Sequence, residues 1–200
     1  MNKKLFILSL ISALVFCFLF SMLSFSASCE EMYKNIVRVR IIANSDSKED
    51  QTLKIKVRDA VLEASSEILE DNDSYDDVIL KANENLDVFL NAARNVVLEN
   101  GYDYTVAAEI REELFDTRIY ENFTLPSGNY ETLVITIGEG KGENWWCVMF
   151  PSVCVGACSG KLEDSISQSS AEKAYNPEKY VAKFKIIEIY ESAKNFFTKS

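Results

Sequence analysis

A chain of 200 residues, 48% of them apolar, is long enough to enclose one core and too apolar for disorder to be its natural state. Its 31 acidic residues exceed its 21 basic ones, so it offers no concentrated positive surface to nucleic acid. It contains no histidine, which excludes a Ser-His-Asp or Cys-His engine, a histidine-ligated zinc and a histidine general base within the chain.

The first segment reads as an export leader. Lys3 and Lys4 give a basic start, Leu5 to Phe25 is apolar apart from serines, and Ser26-Ala27-Ser28 supplies the small residues a signal peptidase needs. Residues 1–28 are therefore expected either to be removed as a signal peptide or to stay as a membrane anchor, since the apolar run is about as long as a membrane span. Cys29 follows in the position of a lipid-acceptor cysteine, but Ser26 stands where such a motif normally has Leu. Membrane contact is expected only through this leader.

Beyond it, Ile36 to Ile42 alternates Val37, Val39 and Ile41 against Arg38 and Arg40, the pattern of a half-buried strand. Asp46 with Glu49, or Ser47 with Asp50, starts a helix to about Glu70, with Leu53, Val57, Ala60, Val61, Ala64 and Ile68 on one face. Ser74 to Asp77 caps a second long helix that stops at Asn100-Gly101. The period then changes to two over Tyr102 to Ile110, weakly over Leu114 to Tyr120, and again over Tyr130 to Ile137. Gly138 to Asn144 reads as a loop joining that strand to an antiparallel partner, Asn144 to Phe150. Residues 159–176 read as a linker or surface excursion. Asn176-Pro177-Glu178 opens a C-terminal helix whose stripe of Ala182, Ile186, Ile189, Ala193 and Phe196 is expected to dock on the domain. The expected fold is α+β: a largely antiparallel sheet with two long helices packed on it in residues 29–158, plus the amphipathic helix in 177–200.

The chemistry concentrates between Ile137 and Cys154, which hold both tryptophans, two of the 5 cysteines and three of the 7 glycines. Gly138, Gly140 and Gly142 permit sharp turning, but Lys141 is followed by Gly142, with no helix pattern to cradle a phosphate. No nucleotide, metal or other cofactor is expected. In an extended Asn144 to Phe150, Trp145 and Trp146 face opposite ways, so one is expected in the core and the other outside as a binding hot spot. Cys147 and Cys154 are the preferred disulfide across Pro151; the other reading is buried free thiols. As a nucleophile Cys147 lacks an activating histidine. Arg118, within Phe115 to Tyr120, suits recognition of a carboxylate or a structural ion pair. Trp145, Trp146, Asn144 and Arg118 are thus the candidate partner-binding residues. No catalytic residue is assigned. Asp116 with Glu139 or Glu143 would be needed for an envelope glycan hydrolase, and exposed tryptophan would also serve a wall-binding module.

Four blocks carry a family resemblance: RVRIIANSDSKEDQTLKIKVRDAVL (Arg38 to Leu62), FDTRIY (Phe115 to Tyr120), LPSGNYETLVITIGEGKGENWWCVMFPSVC (Leu125 to Cys154) and KFKIIEIYE (Lys183 to Glu191). In these the chain resembles the stage II sporulation protein R family of endospore-forming bacteria. The resemblance implies a signalling protein, not an enzyme, exported across the forespore membrane into the intermembrane space. There it would trigger a membrane-embedded aspartic protease to process the pro-sigma-E transcription factor. The resemblance supplies no catalytic residues and does not extend to residues 159–175 or to Cys158.

Overall fold

The computed structural model describes residues 3–69, 73–151 and 161–198. Its elements in chain order are α1 (Lys3–Tyr33), β1 (Val37–Ile42), α2 (Lys48–Ile68), α3 (Tyr75–Glu84), α4 (Leu86–Glu99), β2 (Val106–Phe115), β3 (Arg118–Ile119), β4 (Thr124–Leu125), β5 (Gly128–Ile137), β6 (Asn144–Phe150), α5 (Gln168–Tyr175) and α6 (Val181–Thr198). They fall into two compact units. One, the sheet unit, comprises residues 33–114 and 129–167; the other, the leader unit, comprises 1–32, 115–128 and 168–200.

In the sheet unit four strands run in the order β2-β5-β1-β6. β1 is parallel to β5, with Val39 opposite Leu133 and Ile41 opposite Ile135. It is antiparallel to β6, with Val39 opposite Cys147, Arg40 opposite Trp146 and Ile41 opposite Trp145. The α+β class stands, but the sheet is mixed, which corrects the largely antiparallel arrangement and the β5–β6 hairpin expected from sequence. Strands adjacent in the chain are separated in space because β1 lies between them, and a parallel pairing such as β1 with β5 requires the long crossover that the helices provide.

One face of this sheet buries Val37, Val39, Ile41, Leu133, Ile135 and Cys147 in the same core as Leu53, Val57 and Val61 of α2 and Phe89, Ala93 and Val97 of α4. Each large aliphatic or aromatic side chain so removed from water contributes about 1.5–3 kcal/mol. α2 starts where Ser47, in extended conformation, accepts a hydrogen bond from the Asp50 N–H. α3 starts with the Ser74–Asp77 capping box. The second long helix of the sequence reading is two helices. Asn85 leaves helical geometry between α3 and α4 (φ −107°, ψ 20°), and its side-chain amide donates to the Lys81 carbonyl. Asparagine competes for backbone groups in this way and so breaks a periodic run.

The polar face of β1 also departs from expectation. Arg38 is 0% exposed, and its guanidinium lies 5.0 Å from the centroid of the Tyr130 ring. β1 is an inner strand, and at Arg38 its second face is enclosed as well, while Arg40 on that face is half-buried.

In the leader unit α1 runs unbroken through Ser26-Ala27-Ser28. Part of the expected linker is helical, α5, with Ser170, Ala171, Lys173 and Ala174 buried. α6 buries Phe184, Ile187 and Glu191, while the stripe of Ala182, Ile186, Ile189, Ala193 and Phe196 is exposed. The helix is amphipathic as read, but it packs through the other side. β3 and β4 form a separate two-stranded ribbon in this unit, with Arg118 opposite Leu125.

Candidate functional site

The turn after β1 and the glycine loop after β5 are tied into one cage. Asp50, 4% exposed at the start of α2, accepts from the Asn44 side-chain amide at 2.8 Å and the Ser45 hydroxyl at 2.6 Å. Burial would raise this carboxyl, but hydrogen bonds from Ser45, Asn44, Tyr104 and Ser47 outweigh it and hold it below its ordinary value. Asn44 then reaches the glycine loop. Its carbonyl accepts from the Lys141 N–H, and its side-chain oxygen accepts from the Glu139 N–H at 3.0 Å. The Gly142 N–H donates to the Ala43 carbonyl at 2.9 Å and the Glu143 N–H to Asp46 at 2.6 Å. From below, the buried Lys54 ammonium donates to the Glu143 carbonyl at 2.9 Å.

This crossing explains two of the glycines. Gly138 has φ +58°, and a Cβ there would stand 2.2 Å from the Asn44 side-chain oxygen. A Cβ at Gly142 would stand 2.3 Å from the Ser45 carbonyl oxygen. The loop passes over the end of β1 and has room only for bare backbone.

The cage fixes the start of β6, which carries the tryptophans on opposite faces as the strand alternation predicts. Trp145 packs against the core at its edge, with the Arg58 guanidinium of α2 5.0 Å from its ring centroid. Trp146 faces the other way under Arg40 of β1, at 4.6 Å. Both rings are half-buried, so the division into one core ring and one exposed ring is replaced by two half-open rings, each covered by an arginine. Arg40 is held from three sides. Its Nη1 donates to both Glu113 carboxylate oxygens at 2.9 Å, its Nε donates to the Asn144 side-chain oxygen at 3.3 Å, and Trp146 lies below it. Arg111 shares Glu113 at 2.6 Å. Asn144 therefore serves to orient Arg40.

Arg118 lies in the leader unit, on β3, while the tryptophans lie in the sheet unit. Cys147 is buried on β6; its proposed partner Cys154 lies outside the described residues. Of the carboxylates considered for hydrolysis, Glu139 is paired with Lys141. Hydrogen bonding from Lys141, together with that ammonium's charge, lowers the exposed Glu139 carboxyl, the reverse of what a general acid needs. Asp116 belongs to the leader unit and Glu143 to the sheet unit. The raised carboxyl is elsewhere: burial and the nearby charge of Glu112 push Glu131 up, and burial with the charges of Glu131, Asp76 and Glu112 pushes the Tyr75 hydroxyl up to about 12. Among the described residues no cluster of three or more metal-ligating side chains occurs. What this arrangement offers chemically is aromatic rings, guanidinium groups and backbone held together by hydrogen bonds.

Sequence reasoning missed Asn44, Ser45, Asp50 and Lys54 as builders of the site, and Arg40 and Arg58 as covers of the rings. A signal was present in the run of Asn, Ser and Asp before α2, which is richer in hydrogen-bonding side chains than one helix cap requires.

A family model described as stage II sporulation protein R matches residues 33–159. The protein named stage II sporulation protein R from Bacillus subtilis (strain 168) is 36% identical over 118 residues, 59% of this chain and 53% of that protein. The match thus spans about half the length of that curated relative. No solved structure matches the chain. The matched residues include the cage, both tryptophans and the arginines that cover them. On this evidence the chain belongs to the stage II sporulation protein R family.

Proposed function

We propose that this chain is an exported intercompartmental signal of sporulation that binds and activates a membrane-embedded aspartic protease, which then processes pro-sigma-E. Family membership supports the sporulation role, and the apolar α1 is compatible with export through a leader or anchor. The single observation that carries the mode of action is the pair of half-open tryptophans held rigid by the Asp50 cage and covered by Arg40 and Arg58. Aromatic rings and arginines are the residue types that dominate protein–protein hot spots, and a preformed surface spends little entropy on ordering. The signal is carried by binding and not by turnover, through Trp145, Trp146 and Asn144, with Arg118 contributing from β3. A Cys147–Cys154 disulfide would brace the end of β6.

Replacing Trp145 and Trp146 singly by alanine tests this reading. Each variant is expected to stay folded by circular dichroism and to lose pro-sigma-E processing by at least about tenfold, the effect of a 1.4 kcal/mol loss in binding. Full processing by both folded variants would remove the tryptophans from the interface.

A further inference from the structure

The leader unit is built around the end of α1. Phe25, 1% exposed, is stacked on Tyr180 at 5.6 Å and meets Phe184 edge-on at 5.0 Å. Lys183 donates to the Ser21 hydroxyl. The buried Lys173 of α5 donates to the Ser28 hydroxyl at 2.7 Å and to Ser169 at 2.9 Å. Ser28 is 7% exposed, Cys29 2% and Met32 1%. The small-residue motif that a signal peptidase would read is therefore helical, with Ser26 half-buried, Ala27 exposed and Ser28 enclosed, whereas proteolysis favours locally open chain. Removing residues 1–28 would also take away the ring between Tyr180 and Phe184 and a hydrogen-bond acceptor of a buried ammonium.

The remainder of α1 shows the opposite surface. The large apolar side chains from Leu5 to Leu23, apart from the half-buried Met22, are each more than half exposed, over a length of roughly 28 Å at 1.5 Å per residue, close to the hydrocarbon thickness of a bilayer. With Lys3 and Lys4 on the cytoplasmic side, the lipid–water boundary on the outer side falls near Leu23. The contacts of Lys183 with Ser21, and of Tyr180 and Phe184 with Phe25, put the start of α6 at that same level. There α6 leaves exposed the stripe that the sequence predicts to be buried, with Ile189 62% and Phe196 71% exposed, and the adjoining Phe197 is 76% exposed. Lys185 and Lys194 have exposed side chains, paired on the same helix with Glu188 and Glu191, and can reach polar headgroups while their stems cover lipid. An apolar helix face edged by lysines at the height where an anchor leaves the bilayer fits an interfacial helix.

We propose that the leader unit seats the protein on the outer face of a membrane, with α1 retained as a transmembrane anchor and α6 lying in the lipid interface beside the point where α1 emerges. The seating is independent of which protein the tryptophan surface meets, and it adds a second lipid contact to the leader.

The test uses the full chain, without substitutions. Protein extracted from bacterial membranes is measured by intact mass, and the same protein in vesicles of phosphatidylcholine and phosphatidylglycerol is labelled with a lipid-soluble photoactivated diazirine. The expected result is a chain that still contains residues 1–28, with label on α1 and also on Ile186, Ile189, Phe196 or Phe197. A chain beginning at or near residue 29 overturns the retained anchor. Label confined to α1 overturns the seating of α6 and leaves its exposed stripe to a protein partner. Failure of the tryptophan variants would leave both results unchanged, so the two readings fail separately.

Discussion

The two units treat an apolar helix face in opposite ways. In the sheet unit the stripe of α2 that periodicity marks as internal faces the core: Leu53, Val57, Val61 and Ala64 are buried, and Ala60 and Ile68 are half-buried. In the leader unit the stripe of α6, written with equal regularity, faces outward, and the helix is held through Phe184 and Ile187. Periodicity states which residues share a face. It does not state whether that face meets a protein core or a membrane, because both exclude water by the same physics. The family match follows the same line, since residues 33–159 take in most of the sheet unit but only the β3–β4 ribbon of the leader unit.

The largest test of this contrast uses three phenylalanines. Phe89 in α4 is 0% exposed and Phe25 in α1 is 1% exposed, so alanine at either should cost about 3–5 kcal/mol of stability. Phe197, 76% exposed, should tolerate alanine within about 0.5 kcal/mol when unfolding is followed by urea in detergent. A Phe25→Ala variant as stable as the parent would show that the leader unit has no core of its own and would break the comparison.

A smaller effect is expected in the cage. Asp50→Asn keeps the shape but removes the charge that the Asn44 amide and the Ser45 hydroxyl address, and hydrogen bonds to a charged group contribute about 1.5–3 kcal/mol. The loss should be near 2 kcal/mol at pH 7, read from the urea midpoint, and should shift tryptophan fluorescence because the cage sets the start of β6. The sign with pH follows from the lowered carboxyl. Its stabilisation is present above the ordinary value of 3.8 and is lost as pH falls through the folded value, so parent and variant should converge in acid.

Much of the fold is legible in local sequence and little of the site is. The β1 alternation, the Ser47 cap, the Ser74–Asp77 box and the strand Asn144 to Phe150 depend on neighbours within a few residues, and each appears where the sequence places it. Opposite facing of Trp145 and Trp146 is legible for the same reason. The insertion of β1 between β5 and β6 is a long-range pairing, so the glycine loop reads as a hairpin until the register is known. The arginines over the tryptophans are hidden likewise, since Arg40 and Arg58 come from β1 and α2, and only the β1–β6 register sets Arg40 opposite Trp146. Burial of Arg38 also escapes a period of two, which cannot distinguish an inner strand from an edge strand.

The smallest expected effect concerns the Glu131 carboxyl in the sheet unit, and its sign is opposite to that of Asp50. Burial and the nearby charge of Glu112 raise Glu131 above its ordinary value of 4.5. Between that value and the raised one the folded chain holds the proton more tightly than the unfolded chain, so this contribution to stability falls as pH rises through the window. Above it the carboxylate carries a constant penalty. Glu131→Gln removes that penalty and should stabilise the protein at pH 7 by a few tenths of a kcal/mol, within the roughly 0.2–1 kcal/mol range of cross-strand pairs. The gain should fade as pH falls through the raised value and vanish below 4.5, where Glu131 becomes neutral in both states. Urea midpoints for both proteins from pH 4 to 7 decide it. A gain that persists undiminished in acid would assign the effect to packing rather than charge, and no gain at pH 7 would show that burial and the Glu112 charge do not penalise the Glu131 carboxylate.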